Sequence, residues 1–309
     1  MKRTVALLAL AAALAGLGMG CRKPKTAGKG VTAAELLEKA DHLMKQGKYD
    51  EARRSLRVLE ENLPGSAEFP RAKIMLGDSY FFQGSPSYPE AEVEYQSFLN
   101  YFPRSEMRDY ALYHKALCHF SAIESAERDQ AETRKALTSF QQLLAESPGS
   151  PYATEAKAKI TQCWRRIAEH ELQVGIFYVN VFDYPAAERR LKDLLVAYPD
   201  YVDRERAYYY LGEALRQRGL APAEVTQFNK DYLAKVTKGS LNDLTREEGM
   251  EYTKEFEAFA KERIEGFRAE AKDYYKKLVE SYPRSEWATK ASDRLVAMGS
   301  AGVKEALDS

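Results

Sequence analysis

One pattern recurs five times in this chain and leaves few folds open to it. An alanine is followed four residues later by Leu, Tyr or Phe, seven later by Leu or Phe, and twelve later by Pro. The copies run Ala52, Leu56, Leu59, Pro64; Ala91, Tyr95, Phe98, Pro103; Ala136, Phe140, Leu143, Pro148; Ala187, Leu191, Leu194, Pro199; and Ala271, Tyr275, Leu278, Pro283. Offsets of zero, four and seven share one face of an α-helix, so each copy reads as an amphipathic helix offering one small and two bulky residues to a partner. The proline lacks an N–H and disfavours helical geometry in the residue before it, so it ends the helix. Ser66, Ser105, Ser150 and Ser285 follow two residues later, and Asp200 directly after the proline of the fourth copy, as caps for the next helix. Upstream stretches carry small residues to match, Ala40, Gly77, Ala116 and Gly212. One copy fits any amphipathic helix. Five in fixed register predict an all-α, tetratricopeptide-like solenoid of about five helical hairpins.

The repeat is not evenly spaced. Successive prolines lie 39, 45, 51 and 84 residues apart, against a standard period of about 34. The surplus falls in a turn at Gly84-Ser85-Pro86-Ser87, around Glu124 to Thr133, and above all from Leu220 to about Gly266. That last stretch carries Tyr252, Phe256, Phe259, Ile264 and Phe267 at broadly helical intervals. It reads as one or two amphipathic helices, whose apolar side either lies back on the solenoid or meets a partner. The expected division is repeats 1 to 4 and the first helix of repeat 5 over 32–219, a helical insertion over 220–266, and the second helix of repeat 5 with a C-terminal capping helix over 267–309.

The first residues form a separate unit. Lys2 and Arg3 precede an apolar stretch from Thr4 to Leu17, and small residues lead to a cysteine in Leu17-Gly18-Met19-Gly20-Cys21. This order resembles a bacterial lipoprotein signal over 1–20, although Gly18 and Met19 depart from the usual lipobox. An ordinary secretory signal or an uncleaved anchor are the alternatives, the second being short of the roughly 20 apolar residues that span a bilayer. On the lipoprotein reading Cys21 carries a covalent lipid, the polar stretch 21–31 is a flexible tether, and the rest lies outside the cytoplasm.

Little in the chain suggests chemistry. Equal numbers of basic and acidic residues, 46 of each, give no long-range attraction for nucleic acid. His114 and His119 are five apart, on different helix faces, and His170 sits in a helical run beside Glu171, where a hydrogen-bonded structural role fits. No phosphate-cradling glycine loop, nucleophile elbow or calcium loop is present, and no metal or cofactor is expected beyond the lipid on Cys21. Cys118 and Cys163 either pair in an oxidising compartment or serve as small buried thiols. The run Tyr208-Tyr209-Tyr210 reads as helix packing.

The middle of the chain is more specific. Phe98-Leu99-Asn100-Tyr101-Phe102-Pro103 is followed by Glu127-Arg128-Asp129-Gln130, Thr133-Arg134 and Ala136-Leu137. Ala168-Glu169-His170-Glu171-Leu172-Gln173-Val174, Phe177-Tyr178 and Ala186-Ala187 with Arg190 come after them. In this order the stretches resemble the BamD family, lipoproteins of the machinery that inserts β-barrels into the outer membrane of Gram-negative bacteria. The insertion lies outside the resemblance.

The resemblance implies a scaffold and not an enzyme, held by its lipid on the outer membrane and facing the periplasm. Its implied partners are the periplasmic domains of a barrel-forming assembly protein, other assembly lipoproteins and unfolded β-barrel substrates. Arg190 matches the family arginine of the fourth repeat that is important for docking; the plain alternative is a solvated helix-face charge. Tyr80, Phe81, Phe82, Tyr95 and Tyr101 are candidates for a groove that receives the alternating apolar residues of a substrate strand, against the plain alternative of core. Repeats alone fit two other roles, a tetratricopeptide lipoprotein of cell-wall synthesis or polysaccharide export, and an adaptor to a signalling enzyme.

Overall fold

The computed structural model describes residues 31–200 and 203–299; the signal segment, Cys21 and nearly all of the tether lie outside these. The first four hairpins pair α1 (Ala33–Lys45) with α2 (Tyr49–Asn62), α3 (Phe69–Phe81) with α4 (Tyr88–Tyr101), α5 (Arg108–Ser121) with α6 (Ala131–Glu146), and α7 (Ala153–Asn180) with α8 (Tyr184–Ala197). The fifth pairs α9 (Arg204–Gln217) with the far half of α11 (Arg246–Ser281), and α10 (Pro222–Lys235) stands between them in sequence. A capping helix, α12 (Glu286–Ala297), closes the array against α9 and α11. No strand occurs among the described residues.

The five-fold register is the core. All fifteen residues at offsets zero, four and seven, from Ala52, Leu56 and Leu59 to Ala271, Tyr275 and Leu278, are 0–1% exposed. Full burial of a Leu or Phe side chain contributes about 1.5–3 kcal/mol. Small residues opposite them let the helices close. The Gly77 Cα lies under the Tyr95 ring, Gly175 under Leu191 and Gly212 under Tyr275, so tightly that none has room for a methyl group.

The prolines act as local sterics dictate. The residue before each one, Leu63, Phe102, Ser147, Tyr198 or Tyr282, leaves the helix at φ between −126° and −140° and ψ between 45° and 68°. The serines behave less uniformly than their spacing suggests. Ser285 is a true N-cap, its hydroxyl accepting from the Ala288 N–H at 3.0 Å. Ser105 and Ser150 accept within the preceding turn, from Met107 and Tyr152, and the Ser66 hydroxyl has no hydrogen-bond partner among the described residues. The helix begins three residues beyond each of these three serines, too far for their side chains to cap it.

Extra length is absorbed in three ways: a loop between α3 and α4, a loop between α5 and α6, and a 28-residue α7. The insertion packs largely on itself. Its aromatic residues pack mainly on each other, with Phe228 of α10 4.9 Å from Phe259 and Tyr232 5.1 Å from Tyr252 of α11. Tyr232 donates to the Glu248 carbonyl and Tyr252 to Asn229, both across the same pair of helices. The hairpin thus carries its own small core. Its root is pinned where the Arg218 and Arg263 guanidinia lie 3.9 Å and 5.0 Å from the Phe267 ring centre and both reach Glu224. Residue 266 falls inside α11, so the insertion and the second helix of repeat 5 are one continuous 36-residue helix. Gly266 has no proline or capping residue beside it to interrupt that helix.

Candidate functional site

The five aromatic candidates do not share a groove. Tyr95 is wholly buried, over Gly77. Tyr80 is half-buried beneath the Arg53 guanidinium at 4.2 Å, and Phe81 packs edge-on against His114 at 5.4 Å. Phe82 and Tyr101 are exposed, but Tyr101 meets Phe69 at the first turn of α3 whereas Phe82 ends that helix. At 1.5 Å of rise per residue the two stand roughly 20 Å apart. A period-based reading finds which residues belong to a helix; it does not say which end or face of a hairpin they occupy.

What the first three repeats do form is a cleft of about 500 Å³ lined by residues including Asp41, Arg71, Ile74, Met75, Asp78 and Tyr110. These come from α1, α3 and α5, the first helices of their hairpins, with Pro151 and Tyr152 completing the wall. The Asp78 carboxylate accepts from the Tyr95 hydroxyl at 2.6 Å and the Tyr110 hydroxyl at 2.9 Å. Burial raises its pKa to about 6, against the lowering effect of the two phenols. No ion pair forms to Asp78 among the described residues. Behind it His114 stacks on Tyr110 at 4.0 Å, and burial lowers its pKa to about 4.

Arg190 stands half-exposed on α8. Its Nη1 lies 3.3 Å from Glu171 of α7, and Arg134 of α6 approaches the same carboxylate at 3.7 Å. Two guanidinia therefore share one acid, which leaves donors free for another carboxylate. The Glu171 link could not be read from sequence, since the two residues meet only when the fourth hairpin closes. A second cleft, of about 430 Å³, opens at the far end of the same hairpin between Trp164 and Tyr198.

The remaining polar candidates have structural partners. His170 Nδ1 bonds the Ala126 carbonyl at 2.7 Å, and His119 sits between Glu92 at 3.3 Å and Glu132 at 2.8 Å. Cys118 and Cys163 are free buried thiols, which burial pushes up to about 12 and about 11. Tyr208 and Tyr209 are buried in the fifth repeat. Among the described residues no helix is long and apolar enough to cross a membrane, and no group of three or more His, Cys, Asp or Glu is placed to hold a metal.

Phe182 carries no warning in the sequence. It adopts φ 64° in the turn after α7 and leaves its ring 75% exposed. The equivalent turn after α1 uses Gly47 at φ 71°, the residue suited to left-handed backbone.

Two family profiles agree with this architecture. The profile of an outer membrane lipoprotein family, YfiO, matches residues 29–230, and a tetratricopeptide repeat profile matches 258–285. The outer membrane protein assembly factor BamD of Haemophilus influenzae is 29% identical over 71% of this chain and 85% of its own length. Its namesake in Caulobacter vibrioides is 28% identical over 70% of each chain, and that of Vibrio cholerae 27% identical over 66% and 88%. Among solved structures, a tetratricopeptide repeat protein from Parabacteroides merdae aligns over 89% of this chain and 97% of its own at 20% identity, with a TM-score of 0.31. With the family profile covering the first four hairpins and more than half of the residues, this chain belongs to the YfiO/BamD family of outer membrane lipoproteins.

Proposed function

We propose that this chain is a non-enzymatic scaffold for the assembly of outer-membrane β-barrel proteins, held at the outer membrane by acyl chains on Cys21 and facing the periplasm. It docks on the periplasmic domains of the barrel-forming assembly protein, beside other assembly lipoproteins, and helps to receive unfolded barrel substrates. The observation that carries this reading is the family profile over 29–230, which spans the fourth repeat with its half-exposed Arg190. A guanidinium fork that shares Glu171 with Arg134 has spare donors for a partner carboxylate, in a geometry that lysine lacks. For substrate, the Asp78 cleft supplies what an extended strand needs: apolar walls from Ile74 and Met75 and an acceptor for backbone N–H groups. Phe82 and Tyr101 serve as contacts at opposite ends of the second hairpin.

Arg190→Glu is the test of docking. The barrel-forming protein should be lost from detergent-solubilised co-purifications while the variant remains folded, and unchanged recovery removes the role. Depletion of the chain tests the broader function: barrels should fall across the board. Normal barrels with a defect of cell shape or polysaccharide export would instead identify a tetratricopeptide lipoprotein of cell-wall synthesis or export.

A further inference from the structure

The Trp164 cleft is a site that neither the repeat pattern nor the docking arginine explains. Trp164 lies on α7 and is 42% exposed, although its neighbours Cys163 and Ile167 are fully buried and already fill the core there. Nothing in the packing of the hairpin calls for an indole at this position, and an exposed tryptophan is among the side chains most enriched at the centres of protein interfaces. Among the described residues its aromatic neighbour is Tyr198, at 5.9 Å and 54°, which lines the same cleft. Tyr198 is itself held firmly, because its ring packs against the cores on both sides of the joint between the third and fourth repeats. The walls are therefore fixed before anything binds, which lowers the ordering cost of association.

Charge describes the occupant further. Arg165, beside Trp164 on the cleft wall, makes no hydrogen bond or ion pair among the described residues. Tyr198 also touches Arg134, the residue that shares Glu171 with Arg190, so the cleft and the arginine cluster form one continuous surface. Asp200 also lines the cleft and repels an incoming acid beside it, which favours Arg165 as the partner of a carboxylate.

We propose that this cleft is the apolar half of the docking surface whose charged half is Arg190. It receives an apolar side chain of the partner's periplasmic domain, flanked by a carboxylate that pairs with Arg165. The inference rests on the docking role proposed above and adds a second, independent contact to it.

The experiment uses the purified periplasmic region of the barrel-forming assembly protein from the same organism, titrated calorimetrically against the full soluble chain. Trp164→Ala should weaken Kd by at least about tenfold without moving the thermal midpoint, and Arg165→Glu should weaken it too. In a chain carrying 5-fluorotryptophan and Trp287→Phe, Trp164 is the sole labelled indole, and its fluorine resonance should shift on adding unlabelled partner. If Arg190→Glu weakens binding while Trp164→Ala and Arg165→Glu hold Kd within about twofold, the cleft is not part of the interface and the docking role stands. If the unmodified chain does not bind this region, the docking role and the inference fall together. A Trp164-dependent dimer in sedimentation, with partner affinity unchanged, would show that a second copy covers the cleft and overturn the inference.

Discussion

In the second repeat Tyr95 lies over Gly77 and donates to Asp78; in the fifth, Tyr275 lies over Gly212 and donates to Glu213. Both hydrogen bonds are 2.6 Å long, and in both repeats a glycine and an acid are adjacent on the first helix. The electrostatic settings differ. Glu213 also receives Arg216 at 2.9 Å and Arg294 of the capping helix at 2.7 Å, whereas among the described residues Asp78 receives only a second phenol, Tyr110. Burial raises both pKa values, but at Glu213 the donors and cations outweigh it and the pKa falls below the usual carboxylate range. One steric arrangement thus serves two ends. At the C-terminal end it locks the cap to the array. Near the N-terminal end it leaves an uncompensated carboxylate at the wall of an open cleft.

The shared half of the comparison has the largest expected consequence. Alanine in place of glycine inside a helix ordinarily gains about 1 kcal/mol. At Gly77 the new methyl would stand 2.6 Å from Tyr95 Cε1, and at Gly212 the approach to Tyr275 is closer still. Each ring is tethered by its hydroxyl and cannot withdraw, so Gly77→Ala and Gly212→Ala should each cost about 3 kcal/mol. Gly266→Ala, on an open face of α11, should gain by the ordinary amount. Urea midpoints of the three variants decide the matter, and a common direction of change would mean that the glycines are not packing sites.

How much of this was legible depends on whether a feature is local. The five hairpins were legible because offsets of zero, four and seven with a terminal proline are properties of one helix, and every such position is buried. Gly77 and Gly212 were legible as small residues facing a partner. Glu213 meeting Arg294 was not, since 81 residues separate them and α12 must dock before they touch. The continuity of α11 was hidden because a lone Gly266 resembles an interruption, yet helical glycine is only mildly unfavourable. The positions of the groove candidates were hidden for a related reason. Their spacing placed them on helices, but the antiparallel turn carries Tyr101 back beside Phe69 and leaves Phe82 at the other end. Phe182 shows the limit most plainly: its turn lacks the glycine that would announce it.

The contrasting half predicts substitutions of opposite sign. Glu213→Gln leaves Arg216 and Arg294 against a neutral amide and should cost about 2 kcal/mol at pH 7. Asp78→Asn keeps an acceptor for both phenols and removes a buried charge that has no cation, so it should gain about 1 kcal/mol. The pH dependence follows from the same comparison. Asp78 has a folded pKa of about 6, above its ordinary 3.8. The stabilisation it supplies is fully present below pH 3.8 and is lost as pH rises through about 6. Glu213 behaves oppositely: its contribution is present above 4.5 and is lost only as pH falls below that. Between pH 7.5 and 5 the wild type should therefore gain about 1.4 kcal/mol relative to Asp78→Asn, read from denaturant midpoints at both pH values. Parallel curves for the two proteins would show that Asp78 ionises as freely as an exposed carboxylate.

The smallest effects, from deleting single hydroxyls, test whether phenols or guanidinia hold each acid. Tyr275→Phe keeps the ring over Gly212 and leaves Glu213 with two cationic donors, so it should cost about 0.5 kcal/mol. Tyr95→Phe takes one of the two hydroxyls from a carboxylate without a cation and should cost more, about 1.5 kcal/mol at pH 7. Because that hydroxyl favours the ionised form, its loss should also move Asp78 above its value of about 6, visible by carboxyl carbon NMR titration. At pH 5, where Asp78 is largely protonated and needs less stabilisation, the cost of Tyr95→Phe should shrink, whereas that of Tyr275→Phe should stay constant. A larger cost for Tyr275→Phe than for Tyr95→Phe would mean that the phenol anchors Glu213 and that the arginines act from solvent. The two repeats would then differ in sequence but not in electrostatic design.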